Sequence, residues 1–122
     1  MDHVKKANVP VLQKEGLRVY KVFGADGYIH AEDATEMYIR GEPSLGKAKP
    51  HRHGAEVVYI ADAKDAVMCC GSDKEDMQAY PLAADDTLYL EPGEWHCFDF
   101  MSVNGFVDAI AFFPTGKPEM EE

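Results

Sequence analysis

Cationic residues are scarce in this chain: 12 Lys and Arg stand against 22 Asp and Glu, a formal charge of -10. Such a surface is repelled by phosphate backbones and anionic membranes, so neither nucleic acid nor a membrane is an expected partner. Cysteine is scarce as well, and odd in number, with Cys69 beside Cys70. Three thiols do not make a disulfide framework, which points to a reducing compartment, the cytoplasm. No apolar run approaches the ~18 residues of a spanning helix. The stretch from Met1 to Pro10 lacks the apolar segment of a secretory signal. An internal repeat and a sustained 3.6-residue apolar period are also missing.

What is present is an ordinary globular composition, 46% hydrophobic and 28% charged over 122 residues, enough for one domain with one core. Short apolar alternations recur about every ten residues between turn signals, which predicts an all-β barrel or double sheet. Residues 1–11 read as a polar arm, 12–114 as the barrel and 115–122 as an acidic tail. Strands are expected at Gly16 to Phe23, Tyr28 to His30, Thr35 to Arg40, Val57 to Ile60, Ala66 to Cys70, Met77 to Leu82, Thr87 to Glu91 and Phe106 to Pro114. In the first of these, Leu17, Val19 and Lys21 fall on one side, and Arg18, Tyr20 and Val22 on the other. Ala61 to Asp65 reads as a hairpin connection, and Phe106 to Pro114, apolar on both faces, as a central strand.

Chemistry concentrates at Pro50 to Ile60, PHRHGAEVVYI. Extended backbone sends residues i and i+2 to one face, so His51 and His53 aim at a common point and Arg52 points away. Glu56 follows a bend at Gly54-Ala55 and joins from the side. Imidazole plus carboxylate is the ligand set of a divalent Fe, Mn, Ni, Co or Zn ion. An HxH pair alone is more often ordinary loop polarity than a metal site. A second stretch, Leu88 to Phe100, LYLEPGEWHCFDF, weighs against that: a strand ends at the turn dipeptide Pro92-Gly93, and His96 opens a new alternation. Cys97 then faces away from the histidines, while His3 and His30 lie outside both stretches.

These two stretches resemble the paired motifs of the cupin superfamily, HxH followed by a glutamate, then Gly-x-x-His. The resemblance spans roughly Glu36 to Pro114, although only Gly54 and Ala55 separate His53 from Glu56, fewer residues than the family usually has. It implies a single cupin domain, a jelly-roll β-barrel, with His51, His53, Glu56 and His96 on one metal ion and Gly93 at the turn. It also implies a homodimer, to which the sequence adds an apolar strand from Leu17 to Phe23 that a small barrel would leave exposed at its edge.

Strand parity from Glu56 and His96 puts Val58, Ile60, Phe98 and Phe100 on the metal side, with Trp95 at the mouth. Tyr38 is a polar pocket candidate, and Arg40, Tyr59 and Asp108 are further candidates for acid, base or anchor. Two function classes remain open. One is a metal-dependent dioxygenase, lyase or isomerase acting on a small organic substrate. The other is a non-catalytic module that binds or senses a small molecule or carbohydrate.

Overall fold

The computed structural model describes residues 1–114; the expected acidic tail at 115–122 lies outside them. Ten strands follow in chain order: β1 Leu12–Lys14, β2 Leu17–Gly24, β3 Ile29–His30, β4 Thr35–Gly41, β5 Glu56–Lys64, β6 Ala66–Gly71, β7 Gln78–Pro81, β8 Thr87–Leu90, β9 Trp95–Phe100 and β10 Phe106–Phe113. They form two sheets. The larger runs β1-β2-β4-β10-β5-β8 with β3 alongside β2, and the smaller runs β7-β6-β9. Every pairing is antiparallel except β2 with β3. This is the expected all-β jelly-roll architecture, although no strand pairing closes the two sheets into a continuous cylinder among the described residues. Nor does any helix among those residues have the length and apolarity to cross a membrane.

The core lies between the sheets. Val58 and Ile60 of β5 and Val107, Ala109, Ala111 and Phe113 of β10 meet Ala66 and Met68 of β6 and Phe98 of β9. The side-chain period of two explains which residues those are. Along β10 the alternate residues from Val107 to Phe113 turn inward, and the strand is central, paired with β4 on one side and β5 on the other.

Two expectations need correction. Ala61 to Asp65 is not a hairpin connection: β5 runs on to Lys64, and Asp65 turns the chain from the large sheet into the small one. Asp65 sits at φ 47°, in a left-handed region that aspartate tolerates better than most residues. Its carbonyl accepts from the Met101 N–H at 2.8 Å, and its carboxylate from the Ser102 hydroxyl at 2.9 Å. The strand Leu17–Gly24 is not an open edge either, because β1 and β3 pair with it opposite β4. The missed strand β1 is short and exposed throughout, so it carries no apolar alternation to read.

Candidate metal centre

The two histidine stretches are joined backbone to backbone. His51 and His96 exchange N–H to carbonyl bonds at 3.1 and 2.9 Å, and the Gly93 N–H donates to the His53 carbonyl at 2.8 Å. Gly93 has φ 79°, a left-handed conformation that glycine adopts without the Cβ clash. The HxH segment is therefore an extra edge on the small sheet. The chain then bends through Gly54-Ala55 and enters the large sheet at Glu56. Three imidazoles approach from one sheet and a carboxylate from the other. The short His53–Glu56 spacing suffices because it has only to cross between sheets.

The rings cluster tightly. His51 and His96 have centroids 4.4 Å apart, His53 and His96 4.7 Å, and His51 and His53 5.5 Å. One nitrogen from each of these three histidines lies within 4.8 Å of the others. Glu56 Oε1 is 3.3 Å from His53 Nε2 and 3.4 Å from His96 Nε2, with all three side chains buried.

Hydrogen bonding fixes which nitrogens face inward. Nδ1–H donates to a backbone carbonyl in each ring: His51 to Lys49 at 3.3 Å, His53 to Gly54 at 2.7 Å and His96 to Glu94 at 2.9 Å. A carbonyl only accepts, so each Nδ1 carries a proton and the neutral ring presents its Nε2 lone pair. Outer bonds of this kind orient histidines around a metal. His96 Nε2 is buried and has no hydrogen-bond partner. Its lone pair faces the Glu56 carboxylate, another acceptor, across 3.4 Å. Two buried acceptors in that relation are costly unless a cation lies between them, and a divalent ion has the charge and ligand preference to do so.

The electrostatics follow the same geometry. Burial, reinforced by the neighbouring His96 and His53, pushes His51 down to about 4. Burial acts in that direction on His53 too, but its protonated ring donates from Nε2 to Glu56 and from Nδ1 to Gly54, which outweighs burial and leaves the pKa raised. Burial lifts Glu56, yet His53 and His96 more than offset it when their Nε2 atoms carry a proton to donate, so its carboxyl is then held below the usual range.

These shifts predict a pH signature for metal-free protein. His51 takes a proton in the unfolded chain near pH 6.5 but in the folded one only near 4. Stability should therefore fall as pH drops through that window, with a slope of at most about 1.4 kcal/mol per pH unit. Glu56 adds a loss at the acid end, as pH falls through its lowered folded pKa. His53 acts oppositely: its contribution is complete below pH 6.5 and fades as pH rises through its raised folded pKa. Melting curves of chelator-stripped protein between pH 7 and 4 should show the fall, and His51→Gln should flatten it.

Beside the cluster opens a cavity of about 380 Å³, within the range of small-molecule sites. Of the residues read from sequence, His51, His53, Glu56, His96, Val58 and Phe98 line it. Four pocket candidates do not. Ile60 and Phe100 share a face with Val58 and Phe98 but pack in or against the core beyond. Trp95, one residue out of phase with His96, is covered outside by the Arg52 guanidinium at 4.6 Å and the Lys74 ammonium at 5.1 Å. Tyr38 lies beside the N-terminal arm with Met1 to Val4, on the opposite face of β4 from Met37 and Ile39. The polar candidates are engaged elsewhere too: Arg40 bonds Asp108 and Glu42, each at 2.9 Å, and the Tyr59 hydroxyl donates to Asp85. Sequence reading missed Phe23, Met37, Ile39 and Phe113 as cavity walls. Burial drives the Cys97 thiol up to about 11, so it offers no ready thiolate.

No protein-family model matches this sequence, and no curated protein matches it significantly. Solved structures do. A protein from Planctomyces limnophilus superimposes with a TM-score of 0.72 at 16% identity, covering 100% of this chain and 96% of that one. A mutant of Bacillus subtilis oxalate decarboxylase gives 0.73 at 15% identity, over 96% of this chain but only 30% of the decarboxylase. HppE in its Fe(II) form, with an alternative substrate, gives 0.70 at 16% identity over 92% of this chain and 59% of that one. These neighbours are cupin-fold proteins, and the fold of this chain is the cupin jelly roll.

Proposed function

We propose that the protein is a metal-dependent enzyme acting on a small organic substrate, of the dioxygenase, lyase or isomerase type. His51, His53 and His96, with Glu56 as fourth ligand, would hold one divalent Fe, Mn, Ni, Co or Zn ion. The observation that carries this reading is the buried His96 Nε2, unpartnered and facing Glu56 Oε1, beside the cavity. When bound, such an ion supplies Lewis acidity or an oxygen-binding centre. The chain's own contribution is to fix three imidazole tautomers through backbone carbonyls, to keep Glu56 ionised, and to surround the substrate with Val58, Phe98 and Phe113, which limit water. Among solved neighbours an Fe(II) form of HppE offers a precedent for metal in this fold.

The test is reconstitution with each of the five metals in turn, followed by a turnover and oxygen-uptake screen against small organic acids, alcohols and sugars. Turnover that disappears in His53→Ala supports the proposal. Tight binding of metal and small molecule with no turnover would make the protein a sensor module instead.

We also propose a homodimer formed through the outer face of the large sheet. Tyr89, Val57 and Phe112 lie side by side in register there, with Tyr89 60% and Phe112 42% exposed. An apolar row of this kind is suited to a two-fold contact with its own copy. Sedimentation at micromolar concentration should give a dimer, and Phe112→Glu a monomer; a monomeric wild type would contradict it. Three free thiols accord with residence in the cytoplasm.

A further inference from the structure

Leu17, Val19, Lys21 and Phe23 of strand β2 all line the cavity. Three of these are apolar and one is a lysine. Val22, which follows it without a ladder partner, is only 1% exposed, beneath the N-terminal arm. Lys21 stands opposite Met37 in the ladder, with Val19 and Ile39 as the next pair, so its stem runs along an apolar wall. The register slips between Lys21 and Phe23, a bulge of the sort that re-aims a side chain.

The charges around the cavity leave this ammonium free. Glu15 lies 4.0 Å from Lys49, Glu56 faces His53 and His96, Asp26 has a partner of its own, and Lys14 is exposed at the rim. The Lys21 ammonium makes no hydrogen bond or ion pair among the described residues; the residue's backbone carbonyl accepts from the Tyr28 N–H at 2.9 Å. A half-buried cation without a partner is a cost that an incoming anion would offset. Glu15 and Asp26 also line the cavity and would repel a second negative charge.

We propose that Lys21 anchors the acid group of a small organic monoanion, a carboxylate whose apolar body lies in the cavity beside the histidine cluster. This rests on the metal-dependent reading above and narrows its substrate class.

The probes are butanoate, hexanoate and 3-phenylpropanoate, each against its primary amide. Binding is measured by calorimetry on Zn(II)-loaded protein and on protein stripped with chelator and dialysed. The carboxylates should bind at least about tenfold more tightly than the amides, as expected for a charge-assisted bond in an apolar site. Lys21→Met should erase that preference and Lys21→Arg retain it. An unchanged Zn(II) affinity in Lys21→Met shows that the variant is folded with its cluster intact. Carboxylates that bind no better than amides overturn the proposal. So does a preference that survives in Lys21→Met; if it is then confined to Zn(II)-loaded protein, the anion sits on the metal and only the Lys21 assignment fails. Failure of wild type to bind Zn(II), with a Lys21-dependent preference intact, would instead overturn the metal reading and leave this one standing.

Discussion

Saturating the stripped protein with Zn(II) should raise its melting temperature by about ten degrees, and the same ion should do nothing for His96→Ala. A ligand that binds only the folded state stabilises it by roughly 2.7 kcal/mol at a hundredfold excess over its dissociation constant. For a domain of this length each kcal/mol moves the transition by roughly 4 °C. The physical source is specific. Without an ion, the His96 Nε2 lone pair and the Glu56 carboxylate stay buried against each other. An ion between them turns that repulsion into two bonds. The effect should fade below about pH 6, because protons compete for the same nitrogens, first at His53 with its raised pKa. A melting curve that ignores added Zn(II) at neutral pH would mean that the folded chain does not bind the ion selectively, and would contradict the metal site.

The second large effect is expected far from any ligand. Gly16→Val should lower stability by roughly 3 kcal/mol, combining left-handed backbone strain with overpacking, and should weaken metal binding about tenfold. Gly16 has φ 83°, and a Cβ there would lie 2.6 Å from the Ala48 nitrogen and 2.9 Å from its Cα. Backbone, not a flexible side-chain tip, stands in the way. Gly16 also donates to the Leu45 carbonyl at 2.7 Å, so β2 and the 45–50 segment cannot separate without losing that bond. One residue beyond Ala48, the Lys49 carbonyl orients the His51 ring, and losing such outer support costs about 10–100-fold in metal affinity. Gly54→Ala is the control. It adjoins His53, yet a Cβ there meets nothing within 4 Å, so melting and metal affinity should both hold. Equal behaviour of the two variants in paired melting and Zn(II) titrations would contradict this coupling.

Periodicity carried the sequence reading as far as periodicity goes. The jelly roll was legible because turn signals break the chain about every ten residues. The histidine cluster was legible because His51 and His53 are two apart and Pro92-Gly93 sets up His96. What alternation cannot supply is depth: Ile60 and Phe100 were assigned to the correct face but lie past the cavity, in the core or against it. It also fails where consecutive residues are all bulky. Met37, Tyr38 and Ile39 read alike, and only the arm packed over β4 shows that Tyr38 is the outward one. The sheet change at Asp65 left no trace that distinguishes it from a hairpin, since both need a turn residue tolerant of positive φ. Lys21 was in phase with Leu17 and Val19 in the sequence itself. Its meaning emerges only once its neighbours across the ladder prove apolar and its charge proves unpaired.

The measurement closest to the central claim is the metal content of protein purified without added metal and then dialysed against a slight excess of Zn(II). One ion per chain should remain in the wild type and none in a variant carrying both His51→Ala and His96→Ala, checked as folded by circular dichroism. A folded double variant that still holds one tightly bound ion per chain would contradict the claim, because the site would then have to be built from other residues.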